Sequence, residues 1–388
     1  MAIGASSLEQ TMLRFHEALQ YAPDAIMVLF GHNLFYYHPM VELSSCPGID
    51  RLRWLLLKSR LLTLLAPYRR SCIQAVKFRT PGRWLAFRES LSKMADEAGR
   101  RGVRLALCTV PCNLHFPPLA EDSTRWAPEF LETKYLYLTG QKESAIRKCR
   151  LLLSRKPEAW WDFQLGEWLY QAGRYAQARR RLIAARDMDA WRQRASSVVN
   201  GLIRDVAWEK RLVLFDFDRM VSKSAPHGIP GWNNFKDNQH VLNSVVWAES
   251  AECLRVLGNV QGCQQIPIEF DDWRLKPETD ILLPSLRMIL EEALRTMHCR
   301  PEETALLLSY VAEAFWTSGL RARAMRLNDE ARRLAPGESE LCLQRALFHL
   351  GSGEKTEAAR WLRLALKLRP DQGEARFYLN KLEAEGSA

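Results

Sequence analysis

The sequence predicts an α/β domain built on a parallel sheet, with a pair of helical repeats inserted into it and an all-α repeat array after it. Three observations predict this. Short apolar runs alternate with helical stripes through residues 1–115, and one resumes near residue 211. Glycine, alanine and proline recur at a spacing of 34 residues in the last part of the chain. A spacing of 33 recurs between the second and third apolar runs.

Leu8, Met12, Phe15 and Leu19 share one face of a helix. Pro23-Asp24 breaks that helix and leads into a strand over Ala25–Phe30. A helix around Phe87–Arg100 precedes a strand over Val103–Val110, with Gly99 and Gly102 at its entry. A helix ending near Glu209 precedes a third strand, Arg211–Asp216. Apolar strands that alternate with helices pair in parallel and are covered on both faces.

In the last part, Gly319 and Gly353, Ala324 and Ala358, Ala331 and Ala365, and Pro336 and Pro370 are each 34 apart. This is the tetratricopeptide (TPR) period. The glycine permits the turn between paired helices, the alanines allow close helix packing, and the proline ends the second helix. Asp371–Leu382 reads as a capping helix. In the middle, Gly140 and Gly173 are 33 apart, as are Ala145 and Ala178. Pro157 closes the first unit, and Trp160-Trp161 and Leu165-Gly166 fall in the second. Lying between two strands, this pair is an insertion. Residues 250–300 read as a helical connector interrupted by Pro267, Pro277 and Pro284. The predicted organisation is 1–125 and 205–249 for the α/β domain, 126–204 for the inserted repeats, 250–300 for the connector and 301–388 for the C-terminal repeats.

The 388 residues are 47% hydrophobic and 26% charged, which is ordinary for a globular chain. The net charge of +10 lies largely on helices, as at Arg179-Arg180-Arg181 and at Arg321, Arg323 and Arg326. No basic stretch is interleaved with aromatics, so these read as solvated faces and no nucleic-acid partner is expected. The nine cysteines include no C-x-x-C pair and suggest neither a metal site nor a disulfide framework. No cofactor is expected. No apolar run reaches the ~18 residues of a membrane span. Arg53–Leu65 reads as an amphipathic helix docked on the domain. No compartment is fixed: the cytoplasm is the default, and an N-terminal signal or anchor would place the chain at the envelope.

Two short motifs carry chemistry. Gly31-His32-Asn33 follows the first strand, where glycine N–H and asparagine side chain can serve as oxyanion donors. Asp237-Asn238-Gln239-His240 places a carboxylate three residues from a histidine, as an orienting acid and general base require. The stretch from Pro23 to Asn33 resembles the P-D…G-H-N segment of SGNH (GDSL-type) hydrolases that carry TPR units. Ile229-Pro230-Gly231 with Phe235, Asp237 and His240 resembles their I-P-G…F-x-D-x-x-H segment. Thr109-Val110-Pro111-Cys112-Asn113-Leu114 resembles their strand followed by P-x-N-L.

The resemblance implies acyl-ester hydrolysis or acyl transfer, with His240 as base and acid, Asp237 orienting it, and Asn33 and Gly31 at the oxyanion. Gly4 lies 27 residues before Gly31, a distance that holds one helix and one strand. This suits a glycine donating its N–H to the oxyanion, with Ser6 and Ser7 opening the next helix. The alternative makes Gly4-Ala5-Ser6 the nucleophile turn, with Ser6 attacking. On the first assignment the nucleophile is absent, the sheet is incomplete at its N-terminal side, and the chain is inactive or truncated as an esterase. The rival expectation is a non-catalytic TPR scaffold that binds a protein or peptide in its grooves, a basic groove favouring acidic peptides.

Overall fold

The computed structural model describes residues 8–32, 34, 80–118, 127–190, 192–257, 301–317 and 319–386. The chain divides into two compact units, one of residues 1–111, 192–220 and 248–266, the other of residues 112–191, 221–247 and 267–388. The described residues are mostly helical. Their sheet has three parallel strands in the order β1-β2-β3: β1 Ala25–Leu29, β2 Arg104–Cys108 and β3 Val213–Phe215.

The first unit is a layered α/β body. Helix α1, Leu8–Leu19, precedes β1, and α2, Thr80–Arg100, precedes β2. Helix α7, Ser197–Glu209, precedes β3. Met27 pairs with Ala106, and Ala106 with Val213. One sheet face presents Ile26, Val28, Leu105 and Leu107 to Phe15 and Leu19 of α1, Phe87, Leu91 and Met94 of α2, and Val199, Ile203 and Val206 of α7. The other face buries Ala106, Cys108 and Phe215 with Phe217. Each strand is shorter than the apolar run that predicts it. At the end of β2 the reason is visible: the Asn200 side chain accepts from the Val110 N–H at 2.8 Å and donates to the Val110 carbonyl at 3.0 Å, taking that residue out of the ladder.

The second unit is an array of helical hairpins that follows the 33–34-residue spacing read from the sequence. Its described helices are α3 Pro128–Leu138, α4 Lys142–Arg155, α5 Ala159–Gln171, α6 Tyr175–Met188, α10 Pro301–Thr317, α11 Arg321–Leu334, α12 Ser339–Gly351, α13 Lys355–Leu368 and α14 Gly373–Gly386. Between the units' helices in sequence come α8, Phe217–Ser224, and α9, Asn243–Leu257. The four hairpin turns described end their first helix in the same way. Gly140, Gly173, Gly319 and Gly353 have φ of +94°, +73°, +83° and +82°. The residue after each glycine donates to the carbonyl five back: Gln141 to Leu136, Arg174 to Leu169, Leu320 to Phe315 and Glu354 to His349, at 2.8–2.9 Å. Five residues after each glycine stands an alanine with no exposure: Ala145, Ala178, Ala324 and Ala358.

The inserted and C-terminal helices share this unit. Leu131 and Tyr135 of α3 lie in one core cluster with Leu343 and Leu347 of α12 and Tyr378 of α14. Tyr135 also donates to Glu385 at 2.6 Å. The sequence treats the two arrays as separate; they are joined by packing between segments more than 170 residues apart in the chain. The predicted capping helix is α14. The amphipathic stretch Arg53–Leu65 and connector residues 258–300 lie outside the described residues. No helix among the described residues is long and apolar enough to cross a membrane.

Close packing makes Gly166 a sensitive position. A Cβ there would stand 2.7 Å from Cγ and Cδ2 of Leu182 and 3.2 Å from its backbone nitrogen. Alanine gains up to about 1 kcal/mol of helix propensity over glycine, but overpacking a tight hairpin costs roughly 1–3 kcal/mol. Gly166→Ala is expected to lower the urea midpoint of unfolding; a higher midpoint would show slack between α5 and α6.

Candidate functional site

The second unit carries two features with chemical potential: a tight turn holding Asp237 and His240, and a groove between the helices.

The turn is built by its own backbone. After the 3-10 turn Pro226–Gly228, Ile229, Trp232 and Phe235 are buried. Phe235 and Val241 form an antiparallel bridge, Lys236 N–H donates to the His240 carbonyl at 2.8 Å, and Leu242 N–H donates to Asn234 at 2.8 Å. Asp237 closes the hairpin. Its Oδ1 accepts from the N–H groups of Gln239 at 2.9 Å and His240 at 2.7 Å, and its Oδ2 lies 2.7 Å from His240 Nδ1. With Nδ1–H given to the carboxylate, the neutral ring presents Nε2 as an acceptor. The His240 side chain is 66% exposed and that of Asp237 only 16%. Nε2 makes no hydrogen bond among the described residues.

Electrostatics follow from this geometry. Burial works to raise the Asp237 carboxyl, but the hydrogen bond and charge of His240 and the two backbone amides outweigh it and hold it below its usual value. The hydrogen bond to Asp237 raises His240 above its usual value, against partial burial and the nearby Lys236. The His240 share of stability is complete below its unfolded value of 6.5 and is lost as pH rises through the higher folded value. The Asp237 share is complete above 3.8 and is lost as pH falls through the lower folded value. The pair therefore stabilises most between about 3.8 and 6.5. Asp237→Asn is expected to lower the His240 titration midpoint seen by NMR; an unmoved midpoint would show that the contact does not form in solution.

Behind the turn lies a buried support. Asn113 N–H donates to the Asn238 carbonyl at 3.1 Å, and Asn113 Nδ2 to the Asp237 carbonyl at 3.0 Å. Asn113 Oδ1 accepts from the His115 N–H at 2.9 Å. His115, 5% exposed, places Nδ1 2.7 Å from Oε1 of the fully buried Glu167 on α5. The His115 ring presses on Gly231, where a Cβ would come within 2.5 Å of Cδ2. Glu167 and His115 went unrecognised from sequence, although a carboxylate between Gly166 and Trp168 in a strongly apolar helix is itself a signal.

The groove is lined chiefly by the first helix of each hairpin, α3, α5, α10 and α12. Tyr137 stacks on Trp168 at 4.4 Å, and Trp316 stacks on Phe348 at 4.4 Å. Polar contacts cross between the helices: Tyr137 Oη donates to Gln171 at 2.9 Å, Gln171 donates to the Thr317 carbonyl, and Gln344 Nε2 donates to the Ser309 carbonyl at 2.8 Å. Lys134 and Glu313 pair within it at 3.3 Å.

Of the residues singled out from sequence, Asp237 and His240 are brought together. Gly31 belongs to the other unit, where it is buried against Val110 and Val199, whose methyls would stand 2.9 and 3.0 Å from an added Cβ. Gly4, Ser6 and Asn33 lie outside the described residues. Cys108, Cys112, Cys149 and Cys342 are buried thiols.

No protein-family model matches the chain, and no curated protein matches it. Among solved structures, it is similar to a chain in the crystal structure of the APC/C hetero-tetramer Cut9-Hcn1, at 12% identity and a TM-score of 0.23. The match covers 88% of this chain and 58% of that one, so the chain spans less than two thirds of that protein's length.

Proposed function

We propose that the chain is a protein-interaction scaffold whose helical unit holds a segment of a partner in the groove. The supporting observation is the lining itself: inner helices that elsewhere bury apolar cores turn Tyr137, Gln164, Gln171, Trp316 and Gln344 onto a cavity of about 200 Å³. Aromatic faces among amide groups bind an extended peptide through ring contact and backbone hydrogen bonds. That volume admits a few side chains, not a folded domain. Random peptides displayed on phage and selected on the full chain test this. Selected peptides are expected to lose at least tenfold in affinity, or about 1.4 kcal/mol, on Trp316→Ala with its helical circular dichroism retained. Binding indifferent to Trp316→Ala contradicts the groove as the seat.

The Asp237–His240 geometry favours a second reading, a site derived from SGNH-type acyl-ester hydrolysis or acyl transfer. In it His240 Nε2 takes the proton of an attacking hydroxyl and returns it to the leaving alkoxide, while Asp237 steadies the imidazolium. Its proposed oxyanion donors are Gly31, Asn33 and Gly4, the nucleophile being absent; on the alternative assignment Gly4-Ala5-Ser6 is the nucleophile turn and Ser6 attacks. Turnover of p-nitrophenyl acetate that falls on His240→Ala supports it, and a fall on Ser6→Ala as well selects the alternative assignment; turnover unchanged by His240→Ala removes it.

A further inference from the structure

Two basic residues of the groove lining stand outside the ion pairs of the described residues. Lys142 and Arg321 are the first residues of α4 and α11, directly after the turns at Gly140 and Gly319, and both are exposed and line the groove. Neither has a carboxylate partner among the described residues. Each is held over an aromatic face instead: Lys142 Nζ lies 5.7 Å from the Tyr137 ring centre and Arg321 Cζ 5.2 Å from that of Trp316. Both cations belong to the lining of one cavity. Burial pushes the Tyr137 phenol up and Glu167 adds to this, while Arg321 opposes it.

The neighbouring charges are already satisfied. Glu143 pairs with Arg174 at 2.8 Å and Glu313 with Lys134 at 3.3 Å. Glu340 accepts from Gln372 at 3.0 Å and pairs with Arg369 at 3.7 Å, and Glu374, the remaining carboxylate of the lining, is buried with an interaction of its own. At the matching position after Gly353, Lys355 pairs with Glu385 at 2.8 Å. Two like charges in one cavity lining attract an anion, and ring contact restricts both before any ligand arrives.

We propose that the groove takes an acidic peptide segment, whose carboxylates lie between Lys142 and Arg321 while an apolar side chain contacts Trp316. This rests on the interaction role proposed above and adds the chemistry of the partner. The cations supply electrostatic attraction that weakens with salt, and the rings supply contact that does not.

The test uses the peptides selected on the full chain, together with a synthetic peptide carrying glutamates around a leucine and its lysine-for-glutamate counterpart. The selected peptides are expected to be enriched in Asp and Glu. The glutamate peptide is expected to bind, to weaken at least tenfold in Lys142→Ala/Arg321→Ala, and to weaken as salt rises, while the lysine peptide does not bind. Selected peptides that depend on Trp316 but are neutral or basic, or acidic peptides indifferent to the double substitution, overturn the acidic specificity and leave the interaction role standing. An absence of any peptide dependent on Trp316 overturns both.

Discussion

Trp161→Ala is expected to cost about 3–5 kcal/mol of the helical unit's stability, the range for removing a large aromatic from a core. Trp161 is 6% exposed and stacks on Phe130 at 5.4 Å with the rings 8° from parallel. It belongs to the cluster that also holds Ile146, Leu153, Leu165 and Leu182, so both inserted hairpins lose contact when it goes. The ring pair itself contributes about 0.5–1.5 kcal/mol of the loss beyond area burial. Trp208, 85% exposed, is the control; Trp208→Ala is expected to stay within about 0.5 kcal/mol. Urea unfolding of the two variants decides the matter, and equal midpoints would mean that the inserted helices do not share this core.

Glu167→Ala is expected to act at a distance along one chain of contacts. It removes the partner of buried His115 Nδ1, a loss of about 1–3 kcal/mol. Glu167 is connected through His115 to Asn113, and through Asn113 to the carbonyls of Asp237 and Asn238. With that support loosened, the Asp237–His240 contact weakens and the His240 titration midpoint falls toward 6.5, its ordinary value. Glu167→Gln keeps an acceptor at the same place and is expected to restore most of the shift, which a merely destabilising change would not do. A folded Glu167→Ala protein with an unmoved His240 midpoint contradicts the connection. Because Trp168 and Gln171 on the same helix line the groove, the variant also reports on the groove wall.

Local order was legible in the sequence. The stripe of Leu8, Met12, Phe15 and Leu19 marks α1, and the three apolar runs mark β1, β2 and β3, because periodicity is a property of consecutive residues. The repeat spacing was legible for the same reason: each glycine turn and each buried alanine is set within one hairpin. The pairing of Asp237 with His240 followed from a three-residue offset that a tight turn closes. What was not legible depends on contacts between distant segments. Nothing in the period of residues 127–190 says that Tyr135 will pack on Tyr378, or that Gln171 will donate to the Thr317 carbonyl. His115 and Glu167, 52 residues apart, carry no common pattern. The groove is likewise a product of tertiary packing, assembled from helices on both sides of residues 191–300.

The central claim is that the groove is where a partner binds, and fluorine NMR on protein carrying 5-fluorotryptophan tests it most directly. Resonances assigned by single substitution report Trp168 and Trp316 in the groove and Trp208 outside the helical unit. On addition of the glutamate peptide, Trp316 and Trp168 are expected to shift and saturate together while Trp208 stays fixed. Saturating shifts at Trp208 with Trp316 and Trp168 unmoved would place the partner elsewhere and contradict the account.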